Sequence, residues 1–410
     1  MKLFKREKFL RKIRPFYHSD DIIKVITGVR RCGKSSLMRI IVEELLGDGV
    51  KSDDVLYVDL EKRGFKNLRT AESLDAYLQS KTLKSSNMKY VFVDEVQNIS
   101  NFEETLNFYR SEGGYSIFIT GSNSYLLSGE IATKLTGRYI EFEIFPYSFD
   151  EYLSAKRFYK KEVNGNLLLE LNNFILEGGF PRLMFIDESF AKREYSASLV
   201  KEIFDKDIRK RVRIKNKETF ENIKNFVIGN FGATMSVGSI CESLEKGGVK
   251  ITRLTVEKYI RALVDAKILY ECSRFDVKSK KVLSGEKKYY VSDLSFFFSL
   301  HTDNNINYGP CLENLVYFYA LSYGYSVSVG RVGKFECDFI LRSADADYSY
   351  VQVAYTILAG KETEDREYRP LESIRDNWPK YVLTTDYLQQ KRNGIKHLNL
   401  VELMANGEML

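Results

Sequence analysis

Two groups of residues in this sequence have the types and spacing for phosphate chemistry. The first is Gly28-x-x-x-x-Gly33-Lys34-Ser35, with Arg30, Arg31, Cys32 and Ser36 filling the same loop. Glycines let the backbone curl until successive N–H groups face an anion, and the lysine adds a point charge. Such a loop is suited to a nucleoside triphosphate, with Lys34 reaching the β- and γ-phosphates and the Ser35 hydroxyl ligating Mg2+. The second group closes the run YVFVDE: Asp94 would hold Mg2+ through its water shell, and Glu95 would polarise an attacking water as general base. The bland alternatives are a glycine turn without a ligand and two acids at a solvated strand end. What surrounds each group argues against them.

Each group needs a strand to deliver it, and the loop needs a helix after it. Ile22, Ile23, Val25 and Ile26 read as a buried strand that breaks at Gly28, and residues 34–46 as an amphipathic helix. Further strands are expected at 54–60, 90–93, 115–124 and 139–144, and helices at 71–82, 101–112 and 124–137. The fourth strand ends on Ser122 and Asn123, small polar side chains placed to orient a lytic water. Arg138 stands at a helix-to-strand junction, where it could project into a neighbour's site as an arginine finger; a structural role is the alternative. A glutamate directly after the aspartate, and one extra strand between the two motifs, point to additional-strand ATPases and away from Ras-like GTPases. Residues 1–20 read as a basic amphipathic helix carrying Phe4, Phe9, Leu10 and Ile13 and ending at Pro15.

The segments GVRRCGKSSL, FVDEVQN, ITGSNSYLLSGEIATKLTGRYIEFEIFPYSFDEYL and ILEGGFPRLM resemble prokaryotic AAA-type ATPases with a C-terminal domain of unknown function of the DUF4143 kind. The resemblance spans the chain. It implies an α/β core with a parallel sheet of order 5-1-4-3-2, ATP and Mg2+ as ligands, and a nuclease-like tail. Gly178-Gly179-Phe180-Pro181 resembles the G-x-P element of signal-transducing ATPases, which implies that Pro181 lies near the adenine.

Beyond the core the expected segments are a helical lid (151–232), a winged helix (233–295) and a nuclease-like α/β domain (296–410), after an ATPase core at 1–150. Residues 205–217 are strongly basic, more in keeping with a solvated helix face than with a DNA contact. Residues 236–292 read as two short helices and a hairpin. Arg253, Lys258 and Arg261 would face outward from the second helix, and Lys280 and Lys281 would sit on the wing. Such modules contact DNA or serve as protein-binding or lid elements, and the pattern leaves both open. The αβββαβ order after 313, with Glu313, Asp338 and Gln352-x-Ala354, resembles the PD-(D/E)XK nuclease fold. Gln352 stands in place of an acid and Ala354 in place of the lysine that would activate water, and Lys361, the nearest substitute, lies past the strand, so hydrolysis at that site is expected to be lost or very weak.

Composition narrows the classes. With 62 Lys+Arg against 56 Asp+Glu the net charge is +6, a mild excess that does not by itself call for nucleic acid. Five scattered cysteines without a C-x-x-C pair, and three histidines, argue against a zinc site or a disulfide framework. No apolar run approaches about 18 residues, and the charged start is unlike a signal peptide, so a cytoplasmic protein is expected. The expected activity is ATP hydrolysis that moves the C-terminal region. The alternatives are a nucleotide-gated DNA- or protein-binding switch, or an ATP-regulated nuclease; self-association through Arg138 would be needed for a finger.

Overall fold

Runs of β-branched residues between polar turns form the strands that carry both motifs. A computed structural model describes residues 2–82, 87–121, 135, 137–209, 212–300 and 305–410. It divides into two units, Met1–Phe145 and Pro146–Leu410.

In the first unit β1 (Ile23–Thr27), β2 (Val55–Asp59), β3 (Lys89–Asp94), β4 (Tyr115–Thr120) and β5 (Tyr139–Glu143) make one parallel sheet. Its order is β2-β3-β4-β1-β5, the expected 5-1-4-3-2 read from the other edge. Every residue of β1 and β3 is buried. That burial explains why these strands read as nearly continuous apolar runs, with Lys24 the one charged residue inside them: a parallel sheet is covered on both faces. Val25, Val58, Val91, Val93, Ile117 and Ile119 pack with Leu74 and Leu78 of α3 (Ala71–Thr82) and Leu106 of α4 (Phe102–Glu112). Each such side chain contributes roughly 1.5–3 kcal/mol on burial, which gives the loops a rigid base. The helix α2 (Lys34–Gly47) follows β1, and α1 (Glu7–Ile13) is shorter than the sequence suggests. Phe9, Leu10 and Ile13 are its buried stripe, and it stops where Pro15 opens a 3-10 turn. Most of the helix expected at 124–137 lies outside the described residues.

The second unit starts with helices α5 (Phe149–Phe158), α6 (Leu167–Glu177) and α7 (Ser189–Ile203). Ser148 and Glu151 form a capping box on α5. The chain therefore enters this unit at Pro146, slightly before the expected 150/151 boundary. Next come α8 (Lys217–Gly229), β6 (Thr234–Met235), α9 (Val237–Lys246), α10 (Arg253–Asp265), and a hairpin of β7 (Leu269–Asp276) and β8 (Lys281–Val291). Phe220 of α8 packs edge-on against Tyr259 of α10, with ring centroids 5.3 Å apart, and against Phe204, just after α7, at 4.9 Å.

After α11 (Leu294–Leu300) and α12 (Tyr308–Tyr323) come β9 (Ser326–Val332), β10 (Phe335–Arg342), β11 (Tyr348–Val353), α13 (Lys361–Glu372), β12 (Lys380–Thr384), β13 (Lys391–Arg392), β14 (Ile395–Asn399) and α14 (Leu400–Asn406). The expected division at 295/296 is not a division of the sheet. β7 pairs in parallel with β9, Arg274 opposite Val329, and all nine strands form one sheet of order 13-14-12-11-10-9-7-8-6. The open edge of the hairpin is closed by pairing with the strand that follows α12, which removes an exposed edge.

Candidate functional site

The loop after β1 owes its shape to two glycines. Gly28 has φ +140°, and a Cβ there would lie 2.2 Å from the Ile144 carbonyl oxygen and 2.8 Å from Cys32 Sγ, so only glycine fits. Gly33, at φ +110°, turns the chain into α2, whose first residue is Lys34. Lys34 is buried, and its amine donates to the loop's own carbonyls, Gly28 O at 2.9 Å and Val29 O at 3.3 Å. These are weak, neutral acceptors that a phosphate oxygen would outcompete. Ser35 and Ser36 are half-buried on the same first turn, and Arg30 lies 3.9 Å from Glu61. Arg31, at φ +69°, is exposed. Cys32 is fully buried, and burial pushes its thiol above the ordinary range, so it packs rather than reacts.

Parallel register aligns the second motif with this loop. Ile26 of β1 is opposite Thr120 of β4, and Ile119 of β4 is opposite Val93 of β3. Gly28, Thr120 and Asp94-Glu95 therefore lie in a row along the C-terminal edge of the sheet, with the ends of β1 and β3 two strand spacings, roughly 10 Å, apart. Asp94 is buried and accepts hydrogen bonds from the Thr120 hydroxyl and, at 3.1 Å, from the Tyr57 hydroxyl. Burial and the Asp94 charge both push the Tyr57 phenol above its ordinary value, so it stays a donor. Glu95 is half-buried with φ +60°; its N–H donates to Thr120 Oγ1 at 3.0 Å and its carboxylate accepts from Gln97 Nε2. A glutamate in the left-handed region costs on the order of 1 kcal/mol. The surroundings impose it, and it turns the side chain away from the strand line.

Sequence reasoning missed Arg6. Its buried guanidinium donates to Cys32 O at 3.2 Å and Phe145 O at 2.7 Å and lies 4.5 Å from the centre of the Phe9 ring. It braces the loop from beneath, through contacts too distant along the chain to leave a local signal. Thr120 was legible in principle, as a polar residue ending a buried strand.

Asn123 lies outside the described residues. Arg138 is exposed at the start of β5, and its carbonyl accepts from the N–H of Ile23, the first residue of β1. That is the opposite edge of the sheet, a strand length of roughly 15 Å from the loop, so Arg138 cannot serve the loop of its own chain. Pro181 opens a 3-10 turn in the second unit. Just before it, Gly179 donates its N–H to Asp293 Oδ2 at 2.7 Å and accepts from Tyr147 N–H at 2.8 Å. Burial lifts the Asp293 carboxyl to about 6, against the hydrogen bonds it accepts from Ser295 and Gly179.

In the second unit Glu313, Asp338 and Gln352 do come together, around a lysine the sequence did not flag. Lys288 of β8 is buried, with its amine 2.9 Å from Glu313 and 3.0 Å from Glu336. Tyr290 donates to Glu313 at 3.1 Å. Asp338 accepts from Val353 N–H at 2.8 Å, and its own N–H donates to Gln352 Oε1 at 3.2 Å. Burial and then the Glu313 charge push the Asp338 carboxyl well above the usual range, against the pull of Lys288. Burial lowers the Lys288 amine, but Glu313, Asp338 and Glu336 together outweigh that and hold it above ordinary lysine. Ala354 is buried, and Lys361 begins α13 in the open. Among the described residues no group of three or more His, Cys, Asp or Glu is arranged to hold a metal ion.

Of the expected DNA-contact residues, Arg261 is paired with Asp265 at 2.9 Å and Lys258 donates to Arg213 O at 3.1 Å; Arg253, Lys280 and Lys281 are exposed. No helix among the described residues is long and apolar enough to cross a membrane.

Residues 20–153 match the model of an AAA domain, and residues 168–305 match a domain of unknown function, DUF8612, in place of the expected DUF4143. An uncharacterized protein of Haemophilus influenzae is 32% identical over 402 residues, covering 98% of both chains. One from Methanocaldococcus jannaschii is 32% identical over 364 residues, 86% of this chain and 79% of its own. A solved Walker-type ATPase of Pyrococcus abyssi is 18% identical, with TM-score 0.49, over 73% of this chain and 96% of its own. The chain thus belongs to the same family as the Haemophilus influenzae protein, one built on an AAA-type P-loop ATPase core.

Proposed function

We propose that this protein is an ATPase that binds Mg-ATP on the C-terminal edge of the five-stranded sheet and hydrolyses it there. The observation that carries the reading is the row formed by Gly28, Thr120 and Asp94-Glu95, with Lys34, among the described residues, held by loop carbonyls alone. The residues fit the ligands. The loop N–H groups and the Lys34 amine suit the phosphates, and Ser35 and Asp94 would hold Mg2+, with phosphate oxygens and water completing its shell. When bound, the ion supplies charge neutralisation on the phosphates. Glu95 accepts the proton of the attacking water, Gln97 steadies its carboxylate, and Thr120 ties its backbone to the Asp94 carboxylate. Arg138 acts, if at all, on a second copy, because it lies on the opposite sheet edge.

We read residues 217–291 as a winged helix whose partner is nucleic acid, and the C-terminal α/β region as a part the ATPase moves. The order α8-β6-α9-α10-β7-β8, with β6 pairing with β8, supports that reading. The Glu313–Asp338 cluster is read as structural and not as a nuclease centre, because Lys288 already pairs with Glu313 and the Asp338 carboxylate is taken by the Val353 N–H. Titrating labelled ATP into wild type and Lys34→Ala, with Mg2+ present, tests the core of the proposal. Tight binding by wild type and none by Lys34→Ala is expected; equal binding by both would refute the assignment.

A further inference from the structure

The outward face of α10 is a poor electrostatic surface: Arg261 is neutralised by Asp265, and Glu257 is exposed beside it. Arg253, Lys280 and Lys281 make no ion pair among the described residues, but a denser set of such cations, Lys258 included, is gathered at one end of α10. An open groove of about 810 Å3 runs between the first turns of α8 and α10. Arg213, Lys215, Lys250 and Lys258 line it, against one acid, Glu245, and all four cations are exposed. Among the described residues Arg213, Lys215 and Lys250 make no ion pair, and the Lys258 amine meets only the Arg213 carbonyl. These four charges come from three separate stretches of chain that the packing of α8 on α10 brings together. The floor is apolar, and Leu254 stands 77% exposed at the mouth. A soluble protein that leaves four cations unpaired beside an exposed leucine pays for the arrangement in self-repulsion.

We infer that this groove seats the phosphate backbone of a nucleic acid. It deepens the nucleic-acid reading above, on which it rests, and moves the contact from the outward helix face and wing to the groove. A repeating phosphate chain satisfies several exposed cations at once without a matching side-chain register. The apolar floor takes sugar or base edges. A single small anion would call for a buried polar cage, whereas these side chains are exposed and spread along the groove. Both flanking helices direct their first turns inward, with Asn216 and Thr252 as their caps, so their positive ends add to the same field.

The test uses the full-length protein without nucleotide. Binding of a fluorescein-labelled DNA duplex, and of the matching single strand, is followed by anisotropy from about 50 to 200 mM salt. If the four cations neutralise phosphates of a duplex, the slope of log affinity against log salt is about −3 to −4. The double variant Arg213→Glu with Lys250→Glu should bind at least about tenfold more weakly and lose about 2 from that slope, while Arg213→Lys with Lys250→Arg should keep both. Unchanged melting and circular dichroism keep the comparison clean. Unchanged affinity and slope in the charge-reversed variant overturn the proposal. Loss confined to Lys280→Glu with Lys281→Glu also overturns it, returning the contact to the wing and leaving the broader reading intact. Binding of polyglutamate with no binding of either DNA identifies an acidic protein partner and overturns both. The Lys34→Ala variant should bind DNA as wild type does without nucleotide, so failure of the ATPase assignment reads out separately.

Discussion

Among the buried lysines of this molecule, Lys34 and Lys288 have partners that give them opposite roles. Lys34 donates to two backbone carbonyls of its own loop, while Lys288 is held by Glu313 and Glu336 with Asp338 close behind. A carbonyl is neutral and readily exchanged for a phosphate oxygen. A pair of half-buried carboxylates on a buried lysine is not, because separating them strands an uncompensated charge. The residue types are alike, a lysine and two acids, yet one set is available for a ligand and the other is internally satisfied. Burial of a charged cluster therefore says little about activity until its partners are counted.

The comparison can be broken most forcefully at Lys288. Lys288→Ala should destabilise the second unit by about 3–5 kcal/mol, equally with and without ATP, as read by chemical denaturation. A loss under about 1 kcal/mol would mean the carboxylates are not relying on it. Lys34→Ala, by contrast, should leave the stability of the nucleotide-free protein within about 1 kcal/mol of wild type.

A second buried acid sharpens the contrast through pH. Asp293 has a folded value near 6 against 3.8 ordinarily, so the folded state binds the proton more tightly. Its contribution is full below the unfolded value and is lost as pH rises from about 4 to about 6, a fall of about 3 kcal/mol. Asp293→Asn should flatten the stability profile over that window. A wild-type-minus-variant difference that does not fall over that window would contradict the assignment.

Smaller effects test the loop's support. Arg6→Ala strands the carbonyls of Cys32 and Phe145 and should cost about 1–3 kcal/mol, with a matching weakening of ATP binding. The smallest change is expected at Arg138: Arg138→Ala should alter stability by no more than about 0.5 kcal/mol and leave hydrolysis by dilute protein unchanged. A drop in activity under those conditions would require a route from the far sheet edge to the phosphates.

The parts read correctly from sequence are those whose cause is local. Gly28, Gly33 and Lys34 carry their geometry in their spacing, and β3 announces burial on both faces by the unbroken apolar run 90–93, as β1 does with only Lys24 interrupting it. The strand order came through resemblance, since period and composition do not encode which strands are neighbours. What was not legible depends on distant contacts. Arg6 acts on a carbonyl 139 residues away, and Lys288 meets its acids only because β8 lies across from α12. The pairing of β7 with β9 joined two segments that composition had separated. The basic stretch before α8 looked like a solvated face, and only the packing of α8 on α10 put Arg213 and Lys215 opposite Lys250 and Lys258.

The central claim concerns Glu95, and single-turnover hydrolysis of labelled ATP by Glu95→Gln in the presence of Mg2+ addresses it most directly. The variant should bind ATP as tightly as wild type and cleave it about 100- to 10,000-fold more slowly. Cleavage at the wild-type rate would show that the general base lies elsewhere and that the sheet edge described here is a binding site alone.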